Sequence, residues 1–209
     1  MEISRSKELT ESQPMSDQDF DVVQRILGGQ KRAYSDLVGR HKDKAMALAM
    51  RMLKNRHDAE EAIQDSFVRA FNALPRFEWK SSFSTWFYRI VYNVCATNLS
   101  KKKEEFSVSL GEDENQSLEL PSDDALPDAA YEASEFQDIV HAEIEKLPQA
   151  YASILTLFLV QDMSYDEIVE VAGVPLGTVK NRLFRARTML RDAVTEKMKE
   201  TAVRKEKVA

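Results

Sequence analysis

A chain of 209 residues with a formal net charge of -6 and one cysteine is long enough for one large domain or two small ones, and its lone Cys95 excludes a disulfide-framed secreted scaffold. There is no C-x-x-C pair, no phosphate-loop motif and no metal-ligand spacing, and His41, His57 and His141 are isolated in sequence, so neither a catalytic constellation nor a metal or cofactor site is expected. The start lacks a signal-peptide core and no run approaches the roughly 18 apolar residues needed to cross a bilayer, which predicts a cytoplasmic protein without membrane insertion.

Charge is spread unevenly. Residues 1–19 carry a net of -3, residues 20–103 carry +8, residues 104–145 carry -14 with no Lys or Arg, and residues 146–209 carry +3. Two basic blocks joined by an acidic tether suit a polyanionic partner for the blocks and a different surface for the tether.

Residues 1–16 are polar and unpatterned and read as a disordered tail. A short helix is predicted around Phe20 to Leu27, ending at Gly28 and Gly29, and a longer one from about Gln30 to Leu53 with Ala33, Leu37, Leu48 and Met52 in the core. Asp58, with Glu61 three residues on, is the predicted cap of a third helix, whose apolar stripe is Ala59, Ile63, Phe67, Ala70, Phe71 and Leu74 and whose end is Pro75. Its other face carries Glu61, Gln64, Asp65, Val68 and Asn72. Periodicity leaves that face open between a solvated surface and a protein-binding one.

Residues 76–103 are the most aromatic stretch of the chain. On a helix starting near Ser82, Phe83, Phe87, Ile90, Val91 and Val94 face inward with Trp86 at the border, which leaves Thr85, Tyr88, Arg89, Tyr92 and Ala96 along the opposite side. Aromatics interleaved with Arg, Asn and Lys suit single-stranded nucleic acid, where rings stack on bases and cations hold the backbone; an aromatic core with a basic helix end is the competing reading. Residues 104–130 contain Gly111, Pro121, Pro127 and many acids and read as a linker. Helices resume from Tyr131 to Lys146, with Phe136, Ile139, Val140, Ile144 and Leu147 buried, and from Pro148 to about Val160, where Ile154, Leu155, Leu157, Phe158 and Leu159 mark a central core helix.

Residues 164–191 have the spacing of a helix, a tight turn and a second helix. Ser164 and Glu167 form the S-x-x-E capping pattern, Ile168, Val171 and Ala172 share a face, Gly173 permits a positive φ and Pro175 suits a first turn. Val179, Leu183, Ala186 and Leu190 then point inward, and Lys180, Asn181, Phe184, Arg185, Thr188 and Arg191 point outward. Five Lys or Arg and no acid lie between Thr178 and Arg191. A helix-turn-helix carries its second helix into the major groove, where such side chains meet phosphates and base edges. The predicted fold is therefore all-α, with two small helical domains joined by an acidic flexible linker and a helix-turn-helix in the second.

Three ordered motifs give the chain a resemblance to the extracytoplasmic-function (ECF) sigma factors of bacterial RNA polymerase: DAEEAIQDSFVRAF at Asp58 to Phe71, FSTWFYRIVYN at Phe83 to Asn93, and SYDEI followed by GVPLGTVKNRLFRAR. The resemblance implies a sigma domain 2 over residues 17–103, an acidic linker over 104–130, a sigma domain 4 over 131–199 and a tail over 200–209. It implies that Asp58, Glu61, Gln64, Asp65 and Asn72 bind core polymerase, whose beta-prime clamp helices and beta flap are the family's docking sites. Phe77, Glu78, Trp79, Lys80, Ser81 and Ser82 would form the loop that captures a flipped base of the -10 element, with Tyr88, Arg89 and Asn93 on the adjoining helix, while Thr178, Lys180, Asn181, Phe184 and Arg185 would meet the double-stranded -35 element. Many relatives have Gly where this chain has Trp79. The resemblance also implies an anti-sigma factor as partner and no enzymatic activity, and a stand-alone helix-turn-helix regulator is the alternative function.

Overall fold

The computed structural model describes residues 17–110, 139–140 and 142–206, and every regular element among them is helical. The first unit contains α1 (Asp17–Leu27), α2 (Tyr34–Leu53), α3 (Arg56–Ala73) and α4 (Phe83–Leu110). The second contains a helical stretch over 142–146, then α5 (Gln149–Leu159), α6 (Tyr165–Ala172) and α7 (Leu176–Glu206).

Local chemistry sets most boundaries. α1 stops at Gly28 and Gly29, where Gly29 takes φ +100, a backbone state open to glycine at little cost. Ala33, Leu37, Leu48 and Met52 are all buried as expected. The cap of α3 is Asn55 rather than Asp58: the Asn55 side chain accepts from the Asp58 N–H at 3.0 Å. Extended backbone at Asn55 (φ -143, ψ 126) is the N-cap conformation, which leaves Asp58 in the first turn, where a carboxylate favours the helix N-terminus. Leu74–Arg76 form a 3-10 turn with Pro75 inside it, and α4 runs on to Leu110, past the linker start expected at 104.

The core of the first unit is aromatic. Phe67 and Phe87 stack at 4.7 Å, Phe83 lies parallel to Phe87 at 6.0 Å, and Tyr34 donates its hydroxyl to the Phe67 carbonyl at 2.6 Å. Burying a ring such as Phe87, with no exposed surface, is worth about 1.5–3 kcal/mol. Cys95 is also buried, and burial pushes its thiol up to about 12, away from the thiolate that reacts.

A buried carboxylate ties α1 to α2, beside the exposed Arg25–Asp36 pair. Asp19 accepts from Arg40 Nη1 at 3.0 Å and from His41 Nε2 at 2.9 Å, and the His41 ring is packed among Phe83, Phe87 and Tyr88.

In the second unit, Ile144, Leu147, Ile154, Leu155, Leu157, Ile168, Val171, Val179, Leu183 and Ala186 are buried. Phe158 is half-buried under the Arg187 guanidinium, 4.5 Å from the ring centre, and Leu159 is 52% exposed, so the inward face of α5 ends one residue earlier than its composition suggests. Ser164 and Glu167 form the predicted capping box, and Gly173 closes α6 with φ 65. The predicted tail over 1–16 and most of the acidic linker, with Tyr131 and Phe136, lie outside the described residues, while α7 runs on to Glu206 into the tail predicted over 200–209.

The two units are packed together. α5 lies against α2 and α6 against α4, and the buried apolar residues of both units form one continuous cluster. One expectation is corrected: Thr85 and Tyr88, predicted on the side of α4 opposite its inward residues, are each 1% exposed, Thr85 bonded to Glu167 of the second unit and Tyr88 packed against His41 of α2.

Burial raises the Asp19 pKa, but hydrogen bonds and charge from His41 and then Arg40 outweigh it, so the net shift is downward from the ordinary 3.8. A carboxylate with a lowered folded pKa contributes stability that is complete above its unfolded value and lost as pH falls through the folded one. Asp19→Asn is therefore expected to cost about 1–3 kcal/mol at neutral pH, and urea denaturation should show that deficit shrinking as the pH is taken down through 3.8.

Candidate polymerase and nucleic-acid interfaces

The outer face of α3 presents Glu61, Gln64 and Asn72 to solvent, together with Val68, which is 59% exposed. Two of the predicted carboxylates already have partners. Asp65 pairs with Arg69 at 2.9 Å, and Asp58 pairs with Lys102 of α4, its own side chain 19% exposed. Surface pairs of this kind contribute about 0–1 kcal/mol, so they orient the carboxylates without removing them from use. Lys102 was not foreseen: it is 44 residues from Asp58, a distance that helical periodicity does not reach.

The loop between α3 and α4 is built around Trp79. Its backbone sits at φ 57, the left-handed region that glycine enters freely and a bulky side chain enters at a cost of about 1–2 kcal/mol. Rings hold it there: Trp79 lies 4.9 Å from Phe20 and 4.6 Å from Phe77, and Phe77 lies 4.8 Å from Trp86. The tryptophan thus keeps a glycine-like backbone while its ring joins the domain core. Phe20, on α1 and 41% exposed, is a member of this cluster that sequence reading missed.

On either side of Trp79, Glu78 and Lys80 are exposed and paired with each other, and Ser81 and Ser82 are half-buried. Ser82 caps α4, its Oγ accepting from the Thr85 N–H at 3.1 Å. Farther along the helix Arg89 and Asn93 are exposed. Tyr88 is enclosed. Burial raises its phenol above the ordinary value, and the charge of Asp19 adds to the shift, so the hydroxyl stays protonated and able to donate. Asp19, Arg40, His41, Lys44, Ser84, Tyr88 and Gln161 line a cleft of about 300 Å³.

The second helix of the helix-turn-helix has the predicted two-sided character. Val179, Leu183 and Ala186 have at most 1% of their surface exposed, while Phe184 is 71% exposed among the exposed Lys180, Asn181 and Arg185. Thr178, half-buried, stands at the helix start and donates its N–H to the Pro175 carbonyl at 2.8 Å. With Ala150, Tyr151, Gly177, Asn181, Arg182 and Arg185 it lines a second cleft of about 430 Å³. Tyr151 and Arg182 are additions to the predicted set. Nothing in their local spacing marks them, because they meet only when α5 and α7 pack.

The family model described as Sigma-70 region 2 matches residues 37–105, and that described as Sigma-70, region 4 matches residues 137–190. The ECF RNA polymerase sigma factor SigW of Bacillus subtilis (strain 168) is 33% identical over 173 residues, covering 81% of this chain and 92% of SigW. The chain belongs to the ECF sigma factors. This sigma factor is also 31% identical to the RNA polymerase sigma-H factor of Pseudomonas aeruginosa, over 88% of its own length and 97% of that protein. Its fold is shared with the sigma factor RpoE solved in complex with the anti-sigma factor NepR from Bartonella quintana, at a TM-score of 0.60 and 20% identity over 78% of this chain and 96% of that one. CnrH in complex with the cytosolic domain of CnrY gives a TM-score of 0.56 at 22% identity, over 84% of this chain and 96% of that one. The sigma factor is an initiation factor for RNA polymerase, and the stand-alone regulator is not the reading that its relatives favour. No described helix is long and apolar enough to cross a membrane.

The Trp79 geometry makes an ordered prediction. Trp79→Ala keeps the left-handed backbone and loses the ring contacts, so it is expected to be less stable than wild type by about 2–3 kcal/mol. Trp79→Gly loses the same contacts but sheds the strain, recovering about 1 kcal/mol of that deficit. Equal urea midpoints for the Ala and Gly variants would show that the loop backbone is not constrained.

Proposed function

We propose that this sigma factor divides promoter recognition between its two units. The outer face of α3, with Asp58, Glu61, Gln64, Asp65 and Asn72 around the exposed Val68, docks on the clamp helices of core polymerase. An apolar residue ringed by carboxylates and amides is the pattern of a protein interface rather than a solvated helix face. The loop of Phe77, Glu78, Trp79, Lys80, Ser81 and Ser82, with Tyr88, Arg89 and Asn93, takes an unpaired base of the -10 element. Stacking rings, a phenol donor and nearby cations are the groups such a base needs.

The recognition helix α7 reads the -35 element through Lys180, Asn181, Phe184 and Arg185, with Thr178 at its phosphate-facing start. The cleft that adds Tyr151 and Arg182 widens the phosphate contact. One observation carries the reading most strongly: a phenylalanine 71% exposed between basic side chains, on a helix whose other face is fully buried. Core packing does not require a residue in that position, whereas contact with the duplex does. The beta flap and an anti-sigma factor complete the proposed partners, the second in keeping with the complex of RpoE and the anti-sigma factor NepR from Bartonella quintana. The chain has no enzymatic role of its own.

Run-off transcription with sigma-free core polymerase on a pooled promoter library tests the proposal. Discrete start sites sharing two upstream elements are expected; specific DNA binding without polymerase, and no specific transcripts with it, would replace the proposal with a stand-alone regulator. Two variants separate folding from reading. Leu183→Asp puts a charge into the core and should unfold the second unit. Arg185→Ala should leave the thermal melt unchanged and weaken -35 recognition by about 1–3 kcal/mol, and an unaltered promoter preference would remove Arg185 from the interface.

A further inference from the structure

We propose that Phe20 of α1 is a positioning residue for -10 capture: its ring holds Trp79 from outside the loop, so the base preference of residues 77–82 depends on α1 as well as on the loop itself. The inference rests on the proposed -10 role of that loop.

Four rings run in series across this edge of the first unit. Phe20 of α1 lies 4.9 Å from Trp79, Trp79 lies 4.6 Å from Phe77, and Phe77 lies 4.8 Å from Trp86 of α4. Phe77 also meets Phe83 edge-on at 6.2 Å, and Phe83 is buried, which ties the inner end of the series to the core. Trp79 is therefore gripped from two directions, by Phe77 on the α4 side and by Phe20 on the α1 side. Its neighbours Glu78 and Lys80 are exposed and pair with each other, which ties the loop to neither helix.

Phe20 is not what holds α1 in place. Val22, Val23 and Ile26 are buried on the inner face of α1, and Asp19 bonds to Arg40 and His41 of α2. Phe20 stands beyond these anchors with 41% of its surface exposed, and Trp79 is the ring that it meets.

The surroundings of Phe20 suit support of Trp79 better than direct stacking on DNA. Asp19 and Asp21 flank it, and Arg25, the basic residue of α1, is engaged by Gln30 and Asp36. Single strands are held where cations accompany the rings, and the charge beside Phe20 is negative. Trp79 differs: it is half-buried and belongs to the loop. Phe20 meets it at a tilt of 53°, which fixes the angle of the indole without covering its face as a parallel stack would.

The Trp79 backbone gives this contact its leverage. At φ 57 a tryptophan holds a conformation that only surrounding contacts keep occupied. One ring contact shifts such an equilibrium by about two- to tenfold. Apparent affinity for a captured base then follows the fraction of loops that stay in the competent form.

A double-mutant cycle in the full chain, bound to core polymerase, provides the test. Run-off transcripts first supply the downstream promoter element. Single-stranded oligonucleotides carrying it, with one base varied at a time, are titrated into holoenzyme containing wild type, Phe20→Ala, Trp79→Gly or both substitutions. Phe20→Tyr keeps the ring as the conservative control, and Phe20→Leu, which keeps apolar bulk without a ring, repeats the comparison if the alanine variant melts early. Thermal melts and core polymerase affinity are measured on every variant.

Phe20→Ala should bind the preferred oligonucleotide about two- to tenfold more weakly than wild type and discriminate less between bases, with core affinity held within about twofold. Phe20→Tyr should restore both binding and discrimination. In the Trp79→Gly background there is no indole to position, so Phe20→Ala should change oligonucleotide affinity by less than about twofold. Equal losses in the two backgrounds would reduce Phe20 to a stabiliser of α1 and overturn the inference, as would wild-type discrimination by Phe20→Ala. A wild-type holoenzyme that binds every oligonucleotide equally would instead remove the -10 role of the loop, and the inference with it.

Discussion

The structure depends on α4 being buried along two sides at once. One side sends Phe83, Phe87, Val91 and Val94 into the first unit, where the rings of Phe67 and His41 meet them. The other side carries Thr85 to Glu167 of the helix-turn-helix unit. A helix placed this way has little freedom to shift, since repacking either side disturbs a close-packed interior. The helix that supplies part of the proposed -10 surface is thus also the beam on which both units rest.

The proposed interfaces are rigid in different ways. The proposed -35 surface stands on a helix anchored by the buried Val179, Leu183 and Ala186, with Leu190 partly buried behind them. The -10 loop has no such support, and it is held by ring contacts instead: Trp79 bridges Phe20 of α1 and Phe77 of the loop itself. A left-handed tryptophan is costly, and such strain persists where surrounding contacts over-determine it, commonly near functional sites. Trp79 thus combines a backbone that glycine enters freely with a large ring that lines the loop.

Electrostatics connects the interfaces. Asp58 and Asp65 on α3 are held by Lys102 and Arg69, and Asp19 is held by Arg40 and His41 beneath Tyr88. The α3 pairs lie at the surface and contribute little to stability, whereas the Asp19 carboxylate, largely buried, fixes α1 against α2 and lines the cleft beside Tyr88. Similar side chains therefore do different work according to their exposure to water.

Wherever a rule acts over a few residues, the sequence by itself determined the outcome. The Ser164–Glu167 box, the left-handed Gly173, the inward row of Val179, Leu183 and Ala186 and the stripe of α3 all follow from helical period and backbone chemistry, and three spaced motifs sufficed for the family. The cap at Asn55 was equally local but was masked by the competing signal of Asp58 and Glu61. Tertiary structure alone decided what faces what across long separations: Lys102 on Asp58, Phe20 on Trp79, Tyr151 and Arg182 beside Thr178, His41 on Tyr88, and the second unit on Thr85. The physical reason is that periodicity assigns a residue to a face of its own helix, but whether that face meets water or another helix depends on packing between segments far apart in the chain.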